Sequence, residues 1–268
     1  MLNSRATTRP PLSLSGVDLE RPLTLSCPSG EVVVFTHGSP LAGHENQDAV
    51  GVFCWEDDGL LLAVADGVGG IPGGGAAAGR VIEVLARSPG GPQDDPVGDL
   101  LNEVNKSALA DNSIGASTVS AVRIERDRLT SHHAGDSATL VVGKRGKIKL
   151  QTTCHSPVGM ALASGKLTEH EALFHKERHL LSNMVGDSQL WVERSESILV
   201  SSSDTVVVAS DGLWDNLFLD EVIECVRKDP LETAAGQLVK LARHRMTTPG
   251  MQNPAKPDDL SFILYRTH

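Results

Sequence analysis

The sequence predicts one domain of the α+β class, in which β-hairpins are interspersed with pairs of helices. Apolar or alternating segments of strand length are separated by turn-forming sequences rich in Gly, Asp and Arg. Helical segments occur in pairs and do not follow every strand, which disfavours an alternating parallel α/β chain. No obvious linker divides the 268 residues, a length that suits one large domain.

The first half of the chain predicts strands around one pair of helices. β-Branched residues favour a strand at 31–37, and 50–66 is predicted to be a hairpin that turns at 57–59. Apolar residues recur at helical spacing in 76–87 and 97–110, which a Pro- and Gly-rich loop connects.

The second half begins with two predicted antiparallel hairpins, 117–135 and 138–152. A charged helical stretch is predicted at 167–181. The remaining predicted elements are two strands, two helices and a final strand, in the order 190–200, 204–210, 219–228, 231–245 and 260–266.

The composition excludes several kinds of partner. Hydrophobic residues make up 40% of the chain and aromatic residues 3%, so an aliphatic core is expected. The 34 acidic residues outnumber 24 Lys and Arg, and the net charge of −10 argues against a nucleic-acid partner. No apolar run approaches the roughly 20 residues of a membrane span, so no membrane partner is expected.

The N-terminal segment and the cysteines bear on location. Residues 1–24 are predicted to be a flexible tail that precedes the domain at 25–268. The first residues lack acidic side chains and are rich in Ser, Thr and Arg, so a mitochondrial transit peptide is the alternative. The four cysteines include no C-x-x-C pair, which favours a reduced, intracellular chain. The expected location is the cytoplasm, of a bacterium, or an organelle under that alternative.

Aspartates stand at the ends of apolar strands in five separate places: Asp48, Asp66, Asp136, Asp211 and the pair Asp258–Asp259. In an antiparallel assembly such ends can converge on one rim, where like charges must be protonated or bridged by cations. An all-oxygen cluster favours Mg²⁺ or Mn²⁺. Gly67 and Gly69–Gly70 would let the backbone pass close to such ions, so that a main-chain carbonyl could serve as a ligand.

Each aspartate taken alone has an ordinary structural explanation. Asp is common in Asx turns and at helix N-caps, and Asp211–Gly212 can simply turn the chain. Five such positions together favour a shared metal site.

Six segments resemble the metal-dependent Ser/Thr protein phosphatases of type 2C. In the order of that family they are NQDAVG, AVADGVGG, GASTVSAV, HHAGDSATLVV, VVVASDGLWDNL and KPDDLSFIL. The resemblance covers about residues 25 to 268. It implies a four-layer αββα sandwich, with two antiparallel sheets flanked by helix pairs and a two-metal site at one rim.

The resemblance also implies a ligand set. Asp66 would bridge two Mn²⁺ or Mg²⁺ ions, and the carbonyl of Gly67 would bind one of them. Asp211 and Asp258 would complete the other ion's shell. Asp258 is preferred to Asp259 because the family's motif usually has Asp followed by Asn or Asp.

Two further aspartates receive roles from the resemblance. Asp48 would hold metal-bound water through hydrogen bonds, and Asp136 would help to bind a third, weaker ion. The catalytic residues are then Asp48, Asp66 and Asp211.

The implied activity is hydrolysis of phosphoserine and phosphothreonine in proteins by water that two metal ions activate. A cysteine phosphatase needs Cys-x5-Arg, which is absent. The expected partners are a phosphoprotein substrate and a Ser/Thr kinase or its targets, and the expected state is a monomer. A catalytically silent domain of this fold that binds phosphoproteins is the alternative.

Two positions depart from the family pattern. Gly43 stands where many members have a phosphate-binding Arg, which leaves His44 and His37 as candidates for that role. Val68 stands where eukaryotic members often have a His proposed to be the general acid.

Three rival motifs carry less weight. The glycine-rich segment after Asp66 has Pro72 where a dinucleotide loop requires Gly. The GDS sequences lack the Asp-x-x-His pair of GDSL hydrolases. His175 and His179 have a zinc-compatible spacing but lack the adjacent Glu of metalloproteases, so a solvated helical face is preferred.

Overall fold

Two antiparallel β-sheets stack face to face, with helices packed on both outer faces. A computed structural model describes residues 10–55, 59–70, 72–91, 94–111, 113–248, 250 and 253–268. The α+β class and the two flanked sheets predicted from the sequence are confirmed.

The strands are β1 (Leu12–Ser15), β2 (Leu23–Cys27), β3 (Gly30–His37), β4 (Asp48–Cys54), β5 (Leu60–Asp66), β6 (Val119–Glu125), β7 (Arg128–Ala134), β8 (Ala138–Gly143), β9 (Ile148–Gln151), β10 (Glu193–Arg194), β11 (Ile198–Leu199), β12 (Asp204–Ala209) and β13 (Leu260–Thr267). One sheet has the order β1-β4-β5-β6-β7-β10, with β11 also paired to β7, and the other has the order β2-β3-β13-β12-β8-β9. Neighbouring strands are antiparallel throughout these sheets.

The helices are α1 (Gly74–Leu85), α2 (Pro96–Ala110), α3 (Pro157–Ala163), α4 (Glu169–Leu173), α5 (Asp211–Trp214), α6 (Leu219–Val226) and α7 (Leu231–Thr247). Local capping explains where several begin. Asp95 accepts a hydrogen bond from the Gly98 amide at the start of α2, and Thr168 and Glu171 form a capping box on α4.

Three aliphatic cores separate the layers. The central core lies between the sheets and includes Val34, Val64 and Val208, all fully buried. A second core joins α1 and α2 to the first sheet, and a third joins α6 and α7 to the second sheet. Burial of each such side chain contributes about 1.5–3 kcal/mol. The four-layer sandwich is therefore confirmed.

The predicted flexible tail at 1–24 is wrong for its described part. β1 pairs with β4, and β2 begins at Leu23 and pairs with β3. Leu12 and Leu14 alternate with serines and pack against the central core, which makes 12–15 a short edge strand. The ordered domain thus begins before residue 25, while residues 1–9 lie outside the described part.

The predicted helix at 167–181 is also wrong in length, because α4 ends at Leu173 and turns follow it. His175 and His179 therefore do not share a helical face. α3 was too short to be recognised from periodicity. The predicted turn at 57–59 falls mostly outside the described residues. No helix in the described part of the chain has the length and apolarity that a membrane crossing requires.

Candidate metal centre

Strand ends from both sheets meet at one rim of the sandwich. Asp48 begins β4 and lies directly opposite Asp66, which ends β5. In the other sheet, Asp211 follows β12, and Asp258 precedes the adjacent strand β13. Asp136 lies in the connection from β7 to β8, where the chain passes between the sheets.

Three of the predicted carboxylates come together most closely. Asp66, Asp136 and Asp211 each offer an oxygen that lies within 4.8 Å of the others. The Nζ atom of Lys256 contacts both Asp211 and Asp258, so Asp258 borders this group. The convergence predicted from the sequence is therefore present in the structure.

Burial and like charge oppose ionisation at the rim. Burial is the larger cause of the raised pKa of Asp66, and the charges of neighbouring aspartates, Asp48 first, add to it. Burial and then Asp211 likewise raise the pKa of Asp136. Burial and the charge of Asp211 raise the pKa of Asp258 to about 7. These carboxylates therefore need cations if they are to be ionised together.

Two buried carboxylate oxygens have no hydrogen-bond partner in the described part of the chain: Oδ1 of Asp48 and Oδ1 of Asp136. The other oxygen of Asp48 accepts a hydrogen bond from Ser210 Oγ at 2.9 Å. An unpaired buried carboxylate oxygen is costly without a proton, a water or a cation. The donor set is all oxygen, so it fits hard divalent ions.

Two glycines allow the loops of the centre to pack backbone against backbone. A Cβ atom at Gly67 would lie 2.4 Å from the carbonyl carbon of Gly74 at the start of α1. A Cβ atom at Gly212 would lie 1.8 Å from the carbonyl oxygen of Asp259. Neither position accepts a side chain without movement of the backbone.

The structure separates Asp258 from Asp259. Asp259 accepts hydrogen bonds from the Ser39 amide through Oδ1 and from the Gln47 amide through Oδ2, both at 2.7 Å. Both of its oxygens are thus used to tie β13 to the loop before β4. Asp258 instead points to Lys256, at 3.0 Å. This arrangement favours Asp258 as the ligand.

The two histidines suggested for phosphate binding have other neighbours in the described part of the chain. The His37 ring nitrogen Nδ1 is 2.9 Å from the Gly38 carbonyl, and His44 is exposed. Among the described residues, neither ring forms a hydrogen bond or ion pair with Asp66 or Asp211. Gly43 has a φ of +80°, and a Cβ atom added there would have no atom within 4 Å apart from its chain neighbours.

One member of the site, Lys256, was not predicted from the sequence. Lys256 forms ion pairs with Asp211, Asp215 and Asp258, and its side chain is 21% exposed. Burial alone would lower the pKa of Lys256, but the three carboxylates outweigh it and raise that pKa. The sequence KPDD, with a lysine two residues before the candidate ligand, was the available signal.

A second cluster, also missed, joins His133, His155 and Glu193, whose ligand atoms lie within 4.8 Å of one another. The amides of Gly135 and Asn183 both donate to His155 Nδ1. The proton of His155 is therefore on Nε2, from which it is donated to Glu193 at 2.9 Å. In this tautomer the lone pair of His155 Nδ1 is used by the two amides, and Nε2 carries a proton, so neither ring nitrogen is available to bind a metal ion. His155 therefore connects these groups through hydrogen bonds.

The family model for protein phosphatase 2C matches residues 41–241. The chain belongs to the protein phosphatase 2C family. The match covers most of the domain and includes Asp48, Asp66, Asp136 and Asp211. Asp258 lies beyond it.

The chain is also similar to individual serine/threonine phosphatases. The chain is 28% identical over 196 residues to the serine/threonine protein phosphatase PstP of Mycobacterium tuberculosis; the match covers 68% of this chain and 37% of PstP. The crystal structure of the phosphatase Stp1 from Staphylococcus aureus has a TM-score of 0.77 at 22% identity, and covers 95% of this chain and all of its own. The PstP catalytic domain in complex with two manganese ions has a TM-score of 0.70 at 21% identity, with 88% and 96% covered.

A cavity of about 550 Å³ opens beside the carboxylates, between β8, α5 and the helices α3 and α4. Asp136 and Asp211 lie on its wall, and much of the remainder is apolar, including Leu162, Leu173 and Trp214. A peptide bound at the metal centre would have this cavity within reach.

Proposed function

We propose that this member of the protein phosphatase 2C family is a metal-dependent enzyme. It hydrolyses phosphoserine and phosphothreonine in proteins by direct attack of water. The observation that carries the proposal is the convergence of Asp66, Asp136 and Asp211 at one rim. The two manganese ions in the complex of the PstP catalytic domain support Mn²⁺ as the cofactor, with Mg²⁺ as the alternative.

The chain's residues divide into ligands and supports. Asp66, the carbonyl of Gly67, Asp211 and Asp258 would hold two ions, and Asp136 would help to hold a third, weaker one. When bound, divalent cations lower the pKa of a water molecule and neutralise charge on the phosphoryl oxygens.

Asp48 would orient the attacking water. Its Oδ2 is fixed by the Ser210 hydroxyl, which leaves the buried Oδ1 free to accept a hydrogen bond from that water. In the metal-free protein, burial, followed by the charge of Asp259, raises the pKa of Asp48.

The substrate would be a phosphoprotein, and the partner a Ser/Thr kinase or its targets. Residues next to the phosphorylated side chain would lie in the cavity bordered by α3 and α4. We also propose a monomer that binds neither nucleic acid nor membrane. The free thiols of the cysteines support a reducing, cytoplasmic location.

The test is hydrolysis of p-nitrophenyl phosphate and of a phosphothreonine peptide with added Mn²⁺. The double variant Asp66→Ala, Asp211→Ala is expected to lose at least about a thousandfold in kcat/KM, because removal of metal ligands abolishes charge stabilisation at the phosphoryl group. Asp99→Asn, on the exposed face of α2, is the matched control and is expected to retain wild-type activity.

If the wild-type protein hydrolysed these substrates no faster than the double variant, the proposal that it is a phosphatase would be wrong. If such protein still bound phosphopeptides, the silent binding domain would be the correct function.

A further inference from the structure

Lys256 places a positive charge inside the candidate metal centre. Its ammonium lies 3.0 Å from Asp215 and 3.0 Å from Asp258, and it also contacts Asp211. Asp211 and Asp258 are proposed ligands, whereas Asp215 is not. The lysine therefore occupies oxygens that divalent ions would take.

The backbone of Lys256 is fixed by a buried side chain. Asn216, fully buried, donates from Nδ2 to the Lys256 carbonyl at 2.9 Å and accepts from the Lys256 amide at 2.8 Å. Arg245 in turn donates to the Asn216 carbonyl at 2.7 Å. This two-point clamp fixes the backbone of Lys256 next to the end of α5, close to the carboxylates that its ammonium contacts.

A cationic side chain would add to the charge that divalent ions offer to a phosphate ester. Gly43 provides no side chain, and among the described residues neither His37 nor His44 pairs with Asp66 or Asp211. Lys256 already contacts two proposed ligands, so a phosphoryl group bound at those ions lies within reach of Nζ. An ammonium is a good partner for phosphoryl oxygens.

We propose that Lys256 is the phosphoryl-binding cation of this chain and that it rests on the ligand carboxylates until divalent ions occupy them. Metal binding at Asp211 and Asp258 removes two of its three partners. The ammonium then keeps Asp215 and gains the substrate's phosphoryl oxygens. This proposal rests on the proposed function and assigns the role left open by Gly43.

The experiment measures two affinities by titration calorimetry on the full chain: Mn²⁺ for metal-free protein, and inorganic phosphate for Mn²⁺-saturated protein. In Lys256→Met, Mn²⁺ is expected to bind about three- to tenfold more tightly because a competing charge is gone. Phosphate is expected to bind about tenfold or more weakly, since a charged hydrogen bond is lost. Lys256→Arg is expected to retain phosphate affinity within about threefold because the charge remains.

Lys149→Met is the matched control, because Lys149 is also a partly exposed lysine paired with a buried carboxylate, Asp204, on β12. Both affinities should stay at wild-type values. Unchanged phosphate binding in Lys256→Met would overturn the proposal, as would loss of Mn²⁺ binding in that variant with its circular dichroism spectrum intact. Wild-type protein without Mn²⁺ binding would contradict the proposed function itself and this proposal with it.

Discussion

Asp258 and Asp259 are neighbours in sequence but have different roles in the fold. Asp259 gives both carboxylate oxygens to backbone amides, at Ser39 and Gln47, and so holds β13 against the loop before β4. Asp258 faces Lys256 and the other carboxylates. Oδ1 of Asp258 accepts from the neighbouring Asp259 amide, and its Oδ2 is held only by the lysine side chain, which a metal ion can displace.

Substitution by Asn should separate these roles. Asp258→Asn is expected to weaken Mn²⁺ binding by about 10- to 100-fold while the chain still folds, because a charged ligand is lost. Asp259→Asn is expected to lower the free energy of unfolding by about 1–3 kcal/mol, since its amide N–H₂ must face a backbone N–H. Calorimetry with Mn²⁺ and urea unfolding measure the two effects. An equal loss of Mn²⁺ affinity in both variants would contradict the assignment.

At the scale of elements, the backbone of α5 packs directly against the backbone at the start of β13. Gly212 is the second residue of α5, and it packs directly on the Asp259 backbone. This contact sets the separation of Asp211 and Asp258, because each is adjacent to one of the two touching residues. The geometry of the metal centre therefore depends on Gly212 in α5.

Gly212→Ala is expected to destabilise the protein by about 1–3 kcal/mol, because the new methyl must displace the backbone of Asp259. It should also lower phosphatase activity. The control is Gly236→Ala on the exposed side of α7, where a Cβ meets no atom within 4 Å. That change is expected to stabilise the helix by about 0.5–1 kcal/mol and leave activity unchanged. Thermal unfolding and p-nitrophenyl phosphate assays provide the comparison; wild-type stability in Gly212→Ala would refute the packing argument.

For the whole molecule, the carboxylates of the metal centre lower the stability of the metal-free protein. Buried carboxylates with raised pKa values hold protons in the folded state that the unfolded chain releases, so each destabilises the metal-free protein as pH rises. Cations supply the missing charge. Metal binding and folding are therefore linked, and the link depends on pH.

Asp258 gives this linkage a definite window. Burial and Asp211 raise its pKa from 3.8 to about 7, so its contribution to the stability of the metal-free protein falls as pH rises through that range. In urea unfolding with EDTA, wild-type stability minus that of Asp258→Asn is expected to decline between pH 5 and about 7. Mn²⁺ affinity should rise over the same range, because protons and metal compete for the carboxylate. A stability difference that grows with pH would contradict this sign.

Much of the fold is encoded locally. Apolar runs rich in β-branched residues predicted the strands at 31–37 and 204–210, and turn-forming residues predicted the hairpins. Both signals lie within a few consecutive residues, so they can be recognised without the tertiary structure. Short elements escaped: four residues at 12–15 and seven at 157–163 carry too few repeats for a period to be recognised.

The sequence by itself determined which residues are acidic at strand ends, and motif order predicted their family and chemistry. Only the tertiary structure decided which of them meet. Strand pairing places Asp48 opposite Asp66, and the clamp by Asn216 brings Lys256 onto Asp211. Such contacts join segments tens to hundreds of residues apart, and no local pattern records a distance between them. Hydrogen bonds from the remote residues Ser39 and Gln47 likewise gave Asp259 a structural role, whereas Asp258 faces Lys256 at the metal centre.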